Sequence, residues 1–158
     1  MKPLILYYSY GGNTKTIAEF IQQETDGDLV QLEPAVAYSD NYDQVVRQGE
    51  DEVQQGVTPA LKPLDLDWEA YDTVILGTPV WWYTFAPVVR TFLTSHDFSG
   101  KTIYPFATNG GWLGHTFRDV EQACPGATVQ PGLNVRFDGS RLRTAPSEIS
   151  RWLEQIKK

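Results

Sequence analysis

The feature that most constrains the fold is a regular alternation of short apolar runs and amphipathic segments along all 158 residues. Short continuous apolar runs are typical of strands buried on both faces, whereas apolar residues spaced three and four apart indicate helices. Strands that alternate with helices form parallel sheets, because parallel neighbours need crossover connections. The pattern therefore predicts a parallel sheet covered by helices on both faces.

Five predicted strands alternate with five predicted helices. The strands fall within residues 2–8, 28–32, 73–76, 102–107 and 128–135, and Gly77 is expected to end the third of them. The helices cover 14–23, 41–55 and 115–124, together with segments that begin at Pro87 and Pro146. Asn13 or Thr14 is the expected N-cap of the first helix. Because no repeat or linker interrupts the pattern, residues 1–158 are predicted to form a single domain.

The charge and composition exclude several classes of function. The formal net charge is −7, and an acidic surface repels nucleic acid and anionic lipid while attracting basic proteins. The chain has no long apolar stretch at its start, and its single cysteine, Cys124, cannot form an intrachain disulfide. We therefore expect a cytoplasmic protein with no membrane or nucleic-acid partner. His96 and His115 have no carboxylate or thiol at metal-ligand spacing, so no metal site is predicted.

A sheet of this kind binds ligands beyond the carboxyl ends of its strands, which directs attention to the loops after the first, third and fourth strands. The first loop contains Gly11 and Gly12 and leads directly into a helix. Its free N–H groups, with donors from Ser9, Asn13 and Thr14, suit a phosphate. An ordinary strand-to-helix turn with a capping residue is the alternative. It is not a Walker loop, which needs a glycine before its lysine, and it lacks the third glycine of the dinucleotide fingerprint.

The second and third loops are rich in aromatic residues and glycine. The second places Trp81 and Trp82 just past a buried strand, where one of them could lie against a planar ligand. The alternative is that both pack beneath the following helix. The third loop has three glycines and Trp112, so its backbone could approach a ligand closely. A mobile surface loop is the alternative for this segment.

The chain as a whole resembles the flavodoxins that carry a P-x-W motif after the third strand. The resemblance rests on YYSYGGNTKTIAE at 7–19, YDTVILGTPVWW at 71–82, the helix APVVRTFL, GKTIYPFATNGG at 100–111 and the final PSEISRWLEQI. It implies a three-layer α/β/α sandwich around a five-stranded parallel sheet of order 2-1-3-4-5, and FMN as the cofactor.

The same resemblance implies how FMN is bound. The phosphate would lie in the first loop, the ribityl chain and ring edge along the second, and the third would bound the other side of the ring. Trp81 matches the aromatic flank of the family, whereas the glycine that often follows it is replaced by Trp82 and Tyr83. The implied cofactor-binding residues are Ser9, Tyr10, Gly11, Gly12, Asn13, Thr14, Thr78, Pro79, Val80, Trp81, Trp82, Thr108, Asn109, Gly110, Gly111 and Trp112.

Three functions agree with this resemblance. The leading one is an electron carrier, a monomer or weak dimer that passes electrons between a reductase and an acceptor with basic docking surfaces. The second is an NAD(P)H-dependent FMN or quinone reductase, which would need a basic group for the nicotinamide dinucleotide phosphates. Arg136, Arg141 and Arg143 are the only clustered arginines. The third is a flavin-binding module without turnover. Because no acid–base residues are evident in the loops, the sequence favours the carrier.

Overall fold

A computed structural model describes residues 2–157, and it has three layers with the sheet in the middle. The parallel strands of the sheet are β1 (Leu4–Tyr7), β2 (Asp28–Gln31), β3 (Thr73–Trp81), β5 (Thr102–Asn109), β6 (Thr128–Val129) and β7 (Leu133–Asp138). Two short antiparallel strands pair with them, β4 (Thr84–Phe85) and β8 (Arg141–Leu142). The helices are α1 (Asn13–Thr25), α2 (Tyr42–Gln55), α3 (Pro87–Ser95), α4 (Thr116–Ala123) and α5 (Pro146–Lys157), with a 3-10 turn at Trp68–Ala70.

The sheet order is β2-β1-β3-β5-β7-β8, with β4 paired to β3 and β6 paired to β5. Because β6 and β7 both run parallel to β5, they form one broken fifth strand, and the predicted order 2-1-3-4-5 is confirmed. Two apolar clusters lie on opposite faces. One centres on Phe92 and Leu76, and the other on Ile21 and Phe106. None of the helices within residues 2–157 is long and apolar enough to cross a bilayer.

Gly77 does not end the third strand, so this expectation was wrong. The strand continues through Gly77 to Trp81 and then turns back into β4. A Cβ at Gly77 would lie 2.2 Å from Cζ of Phe106, which shows why glycine is needed in the middle of this strand. Its role is close packing of the neighbouring ring, and the glycine was misinterpreted as a strand terminator.

Two other local expectations need correction. The N-cap of α1 is Gly12, whose φ of 99° lies in the left-handed region, and no side chain caps the helix there. Asn13 and Thr14 are helical residues instead. The fifth strand breaks after Val129 and resumes at Leu133, and the β7–β8 hairpin beyond it was not foreseen. This hairpin matters for the site, because its turn touches the first loop.

Candidate functional site

The first loop presents backbone donors at the carboxyl edge of the sheet. Gly11 and Gly12 have φ values of 83° and 99°, which favour glycine, and they turn the chain from β1 into α1. Within residues 2–157, the N–H groups of residues 11–14 donate to no protein acceptor, and the first intrahelical bond from this loop joins the Thr16 N–H to the Gly12 carbonyl at 3.0 Å. Free N–H groups at a helix N-terminus suit an anion.

The side chains of this loop are already engaged with the protein. The Thr14 hydroxyl is buried and lies 2.7 Å from the Thr108 hydroxyl. The Asn13 amide donates to the Gly139 carbonyl at 2.9 Å, and the Ser9 hydroxyl accepts from the Lys15 N–H at 3.1 Å. These three side chains therefore hold the loop in shape, and its backbone is the part left available to a ligand.

A small cleft of about 190 Å³ lies beside the first loop. It brings together Asn13, Pro79, Asn109 and Gly110, which belong to all three predicted loops. Tyr10 lines its inner end and also lines a second, larger cleft. Thr78 takes no part, because its hydroxyl accepts the Ala86 N–H at 3.1 Å and donates to the Pro79 carbonyl at 2.8 Å.

The second loop is a tight hairpin between β3 and β4. Val80 pairs with Phe85 and Trp81 with Thr84, so Trp82 and Tyr83 are the two central residues of the turn. Their φ values are 52° and 71°, as in a type I′ turn. This turn favours Asn-Gly, and bulky residues adopt its left-handed conformation at a cost of about 1–2 kcal/mol each.

The third loop supports this hairpin from outside. The His115 N–H donates to the Tyr83 carbonyl at 2.8 Å, and a Cβ at Gly114 would lie 2.3 Å from the same oxygen. His115 is bonded through Nδ1 to Asp119, whose carboxylate also accepts the Thr84 hydroxyl at 2.5 Å. The strained turn is thus held by a set of contacts that link β4 to α4.

Trp81 belongs to an aromatic cluster. Its ring meets Tyr8, Tyr10 and Tyr38 edge-on, with centroid distances of 5.0–6.1 Å. It also lies over Gly49 of α2, where a Cβ would be 3.1 Å from the indole Cε3. Burial raises the pKa of both the Tyr8 and Tyr38 hydroxyls above the ordinary value, so both stay neutral at physiological pH. The cluster is therefore an uncharged platform.

A cleft of about 460 Å³ lies between α2 and the hairpin. This volume is within the range of small-molecule and cofactor sites. Trp81, Trp82 and Tyr83 form one wall, Trp112 lies at the edge, and α2 forms the other wall through Tyr42, Val45, Val46 and Gly49. Trp112 is 71% exposed and Tyr83 is 51% exposed. Aromatic faces that remain accessible in a cleft suit a large planar ligand.

The structure corrects the expected position of Trp82. The alternative for the second loop placed both tryptophans beneath the following helix, but the Trp82 Nε1 donates to the Val46 carbonyl of the preceding helix α2 at 3.0 Å. The α2 residues and Tyr83 are also cleft residues that the sequence analysis missed. The available signal was weak: Gly49 in the middle of a helix is unfavourable unless something packs against it, and here Trp81 does.

The family follows from a comparison of the whole chain with known families. Residues 2–156 match the model described as Flavodoxin. The chain belongs to the flavodoxin family. No curated protein matches it significantly.

Three solved structures resemble this flavodoxin over nearly their whole length. A protein from Bacteroides eggerthii described as a flavoprotein is 28% identical, with a TM-score of 0.84 and 99% and 98% of the two chains covered. One from Bacteroides uniformis is 25% identical, with a TM-score of 0.83 and 97% of each chain covered. A Lactobacillus acidophilus flavoprotein solved in complex with FMN is 25% identical, with a TM-score of 0.74 and 96% and 97% covered.

The residues present fit FMN, the cofactor that the flavodoxin family implies. The free N–H groups of residues 11–14 match a phosphate, and the uncharged aromatic cleft matches a large planar ring. Tyr10 lines both clefts, which places them side by side, as one elongated ligand would need. Among the predicted residues of the second and third loops, Thr78 and Gly111 line neither cleft, and Gly111 faces the guanidinium of Arg136.

The strained turn gives a direct test of the hairpin geometry. At most sites alanine is more favourable than glycine, but a left-handed φ reverses this order. We expect Tyr83→Gly to be more stable than Tyr83→Ala by about 1 kcal/mol in urea unfolding, since both variants lose the same ring. The pair Ser95→Gly and Ser95→Ala in α3 serves as the control and should show the ordinary order. If alanine is the more stable residue at position 83, the turn is not type I′ in solution.

Proposed function

We propose that this flavodoxin binds FMN and carries electrons between two protein partners, a reductase and an acceptor. The observation that carries the proposal is the character of the joined clefts: within the described residues, neither is lined by Asp, Glu, His, Lys or Arg. Bound FMN supplies reversible uptake and release of electrons, and the protein supplies binding, orientation and a water-poor surrounding.

Different residues would hold the phosphate, the ring and the chain that joins them. The N–H groups of residues 11–14 bind the phosphate, and Asn13 locks their loop to the turn at Gly139. Trp81 provides the platform for the ring, held edge-on by the tyrosines around it. Pro79 and Asn109 flank the chain between phosphate and ring. Trp112, at the open edge, leaves the ring accessible to a partner protein.

The lack of charged residues lining the clefts, among residues 2–157, also favours the electron carrier over the reductase. A reductase needs basic groups for the phosphates of the nicotinamide dinucleotide, and it needs room above the ring. Arg136 lies beside Gly111 of the third loop and lines neither cleft. The proposed location is the cytoplasm, because the sequence holds a single cysteine, Cys124, and so no intrachain disulfide.

Anaerobic mixing distinguishes these two functions. We expect NADH and NADPH to leave the flavin absorbance of the FMN-loaded protein unchanged over minutes, because no basic side chain among residues 2–157 lines the clefts. Dithionite serves as the positive control for reduction. The dithionite-reduced protein should then pass electrons to cytochrome c. Stoichiometric bleaching within seconds by either nucleotide would assign the chain to the reductases instead.

A further inference from the structure

The β7–β8 hairpin presents a small arginine face at the edge of the candidate site. Asp138 is paired with Arg141, and Phe137 with Leu142. One step further along the ribbon, the Arg143 N–H donates to the Arg136 carbonyl at 2.8 Å, which places these two residues opposite each other. Residues opposite one another in an antiparallel pair share a face, so these four side chains point the same way. Phe137 and Leu142, between them, turn inward to the core. The outer face of the hairpin therefore carries three arginines and one carboxylate.

These arginines are not neutralised within the protein. Among residues 2–157, Arg136, Arg141 and Arg143 lie within 4.0 Å of no carboxylate oxygen, and all three are exposed. Arg136 and Arg143 are like charges placed opposite each other, an arrangement that is unfavourable without an anionic neighbour. A chain of net charge −7 thus keeps three arginines and one carboxylate, a face of net positive charge, together on one short ribbon.

The ribbon lies directly beside the candidate flavin site. Arg136 is the register partner of Asn109 in the parallel pair of β5 and β7. Its guanidinium also lies 3.6 Å from where a Cβ of Gly111 would be, next to the exposed Trp112. At the other end of the ribbon, the Gly139 carbonyl accepts the Asn13 amide of the first loop at 2.9 Å. The arginine face therefore borders the site along its length.

We propose that this arginine face docks an acidic patch on a redox partner protein. The proposal rests on the proposed electron-carrier function and assigns a charge to one of its partners. The ribbon is an exposed strand pair at the end of the sheet, and no arginine lines either cleft, so its shape suits a protein surface more than a small anion. Arginine beside exposed aromatic residues is also the composition of interface cores. This proposal differs from the expectation based on net charge, in which both partners dock through basic surfaces.

The test uses two probe proteins of opposite charge. The FMN-loaded protein is reduced with dithionite, freed of excess reductant, and mixed in a stopped-flow instrument with an acidic soluble b-type cytochrome or with basic cytochrome c. Each cytochrome haem takes one electron from the reduced flavoprotein. The test variant is Arg136→Gln, Arg141→Gln and Arg143→Gln combined. The control removes three charges elsewhere, at Lys2, Lys62 and Arg151, each changed to Gln.

We expect the test variant to reduce the acidic cytochrome about tenfold more slowly than the control variant at low salt, and the difference to shrink at high salt. Reduction of basic cytochrome c should not slow. FMN absorbance of each variant is measured first, so that loss of cofactor, which would speak against the proposed function, is distinguished from loss of docking. Equal rates for the two variants would overturn the docking proposal. So would nucleotide-driven bleaching that the arginine variant loses, since the arginines would then bind dinucleotide phosphates.

Discussion

Trp81→Ala is expected to weaken FMN binding by about thirtyfold or more, because the ring loses both apolar contact and stacking, together about 2–3 kcal/mol. Flavin fluorescence, quenched by a stacked indole, should recover severalfold in the same variant. Titration of apoprotein with FMN, followed by fluorescence, measures both quantities at once.

Two control variants separate stacking from loss of stability. Trp81 also supports Tyr8, Tyr10 and Tyr38, so its removal lowers the free energy of unfolding. Val89→Ala in α3 removes buried apolar volume from the same core without lining either cleft, and it should leave the fluorescence quenched. Trp82→Ala should have the smaller effect on fluorescence, since its indole is bonded to α2 at Val46.

The outcomes of this series are distinct. Recovery of fluorescence in Trp82→Ala but not in Trp81→Ala would reverse the assignment of the two tryptophans. Recovery in neither would mean that the pair packs only within the protein, which was the alternative that the sequence left open.

The sheet could be predicted from the sequence because its signals are local. The strand-helix alternation, Pro87 and Pro146 at helix starts, and the apolar stripe of Val88, Val89 and Phe92 all depend on neighbours along the chain. Gly77 was misinterpreted because its role depends on Phe106, a distant residue that packs against it. In a sequence, a glycine is read as a flexible backbone position. Only the folded structure shows when glycine is needed because a neighbouring side chain leaves no room for a Cβ.

The three loops of the candidate site could be predicted from the sequence, whereas the helix that forms one wall of its larger cleft could not. The carboxyl ends of the parallel strands lie at one edge of the sheet, so the topology alone brings the three loops together. The α2 wall depends on how a helix lies over Trp81, which is a tertiary matter. The type I′ turn was hidden for a different reason: Trp82 and Tyr83 are among the last residues that turn propensities would favour there. Such strain commonly marks a functional segment.

The Asn13 and Thr14 side chains have protein partners that the sequence did not indicate. Both were expected to donate to a phosphate, yet they bond to Gly139 and Thr108. The donors that remain are backbone N–H groups, which the sequence indicated through Gly11 and Gly12 at the start of a helix. Variants at these two positions therefore report on the shape of the loop as much as on contact with a ligand.

The central claim is that FMN binds with its phosphate on the N–H groups of residues 11–14, and isothermal titration calorimetry of the apoprotein with FMN, riboflavin and FAD tests it most directly. Charge-assisted hydrogen bonds contribute about 1.5–3 kcal/mol each, so two of them make riboflavin about a hundredfold or more weaker than FMN. Asn13→Asp, which adds a negative charge beside the phosphate, should narrow that gap, because the charge opposes the FMN phosphate and riboflavin has none. FAD should bind no more tightly than FMN. Equal affinities for FMN and riboflavin, or a clear preference for FAD, would contradict the account.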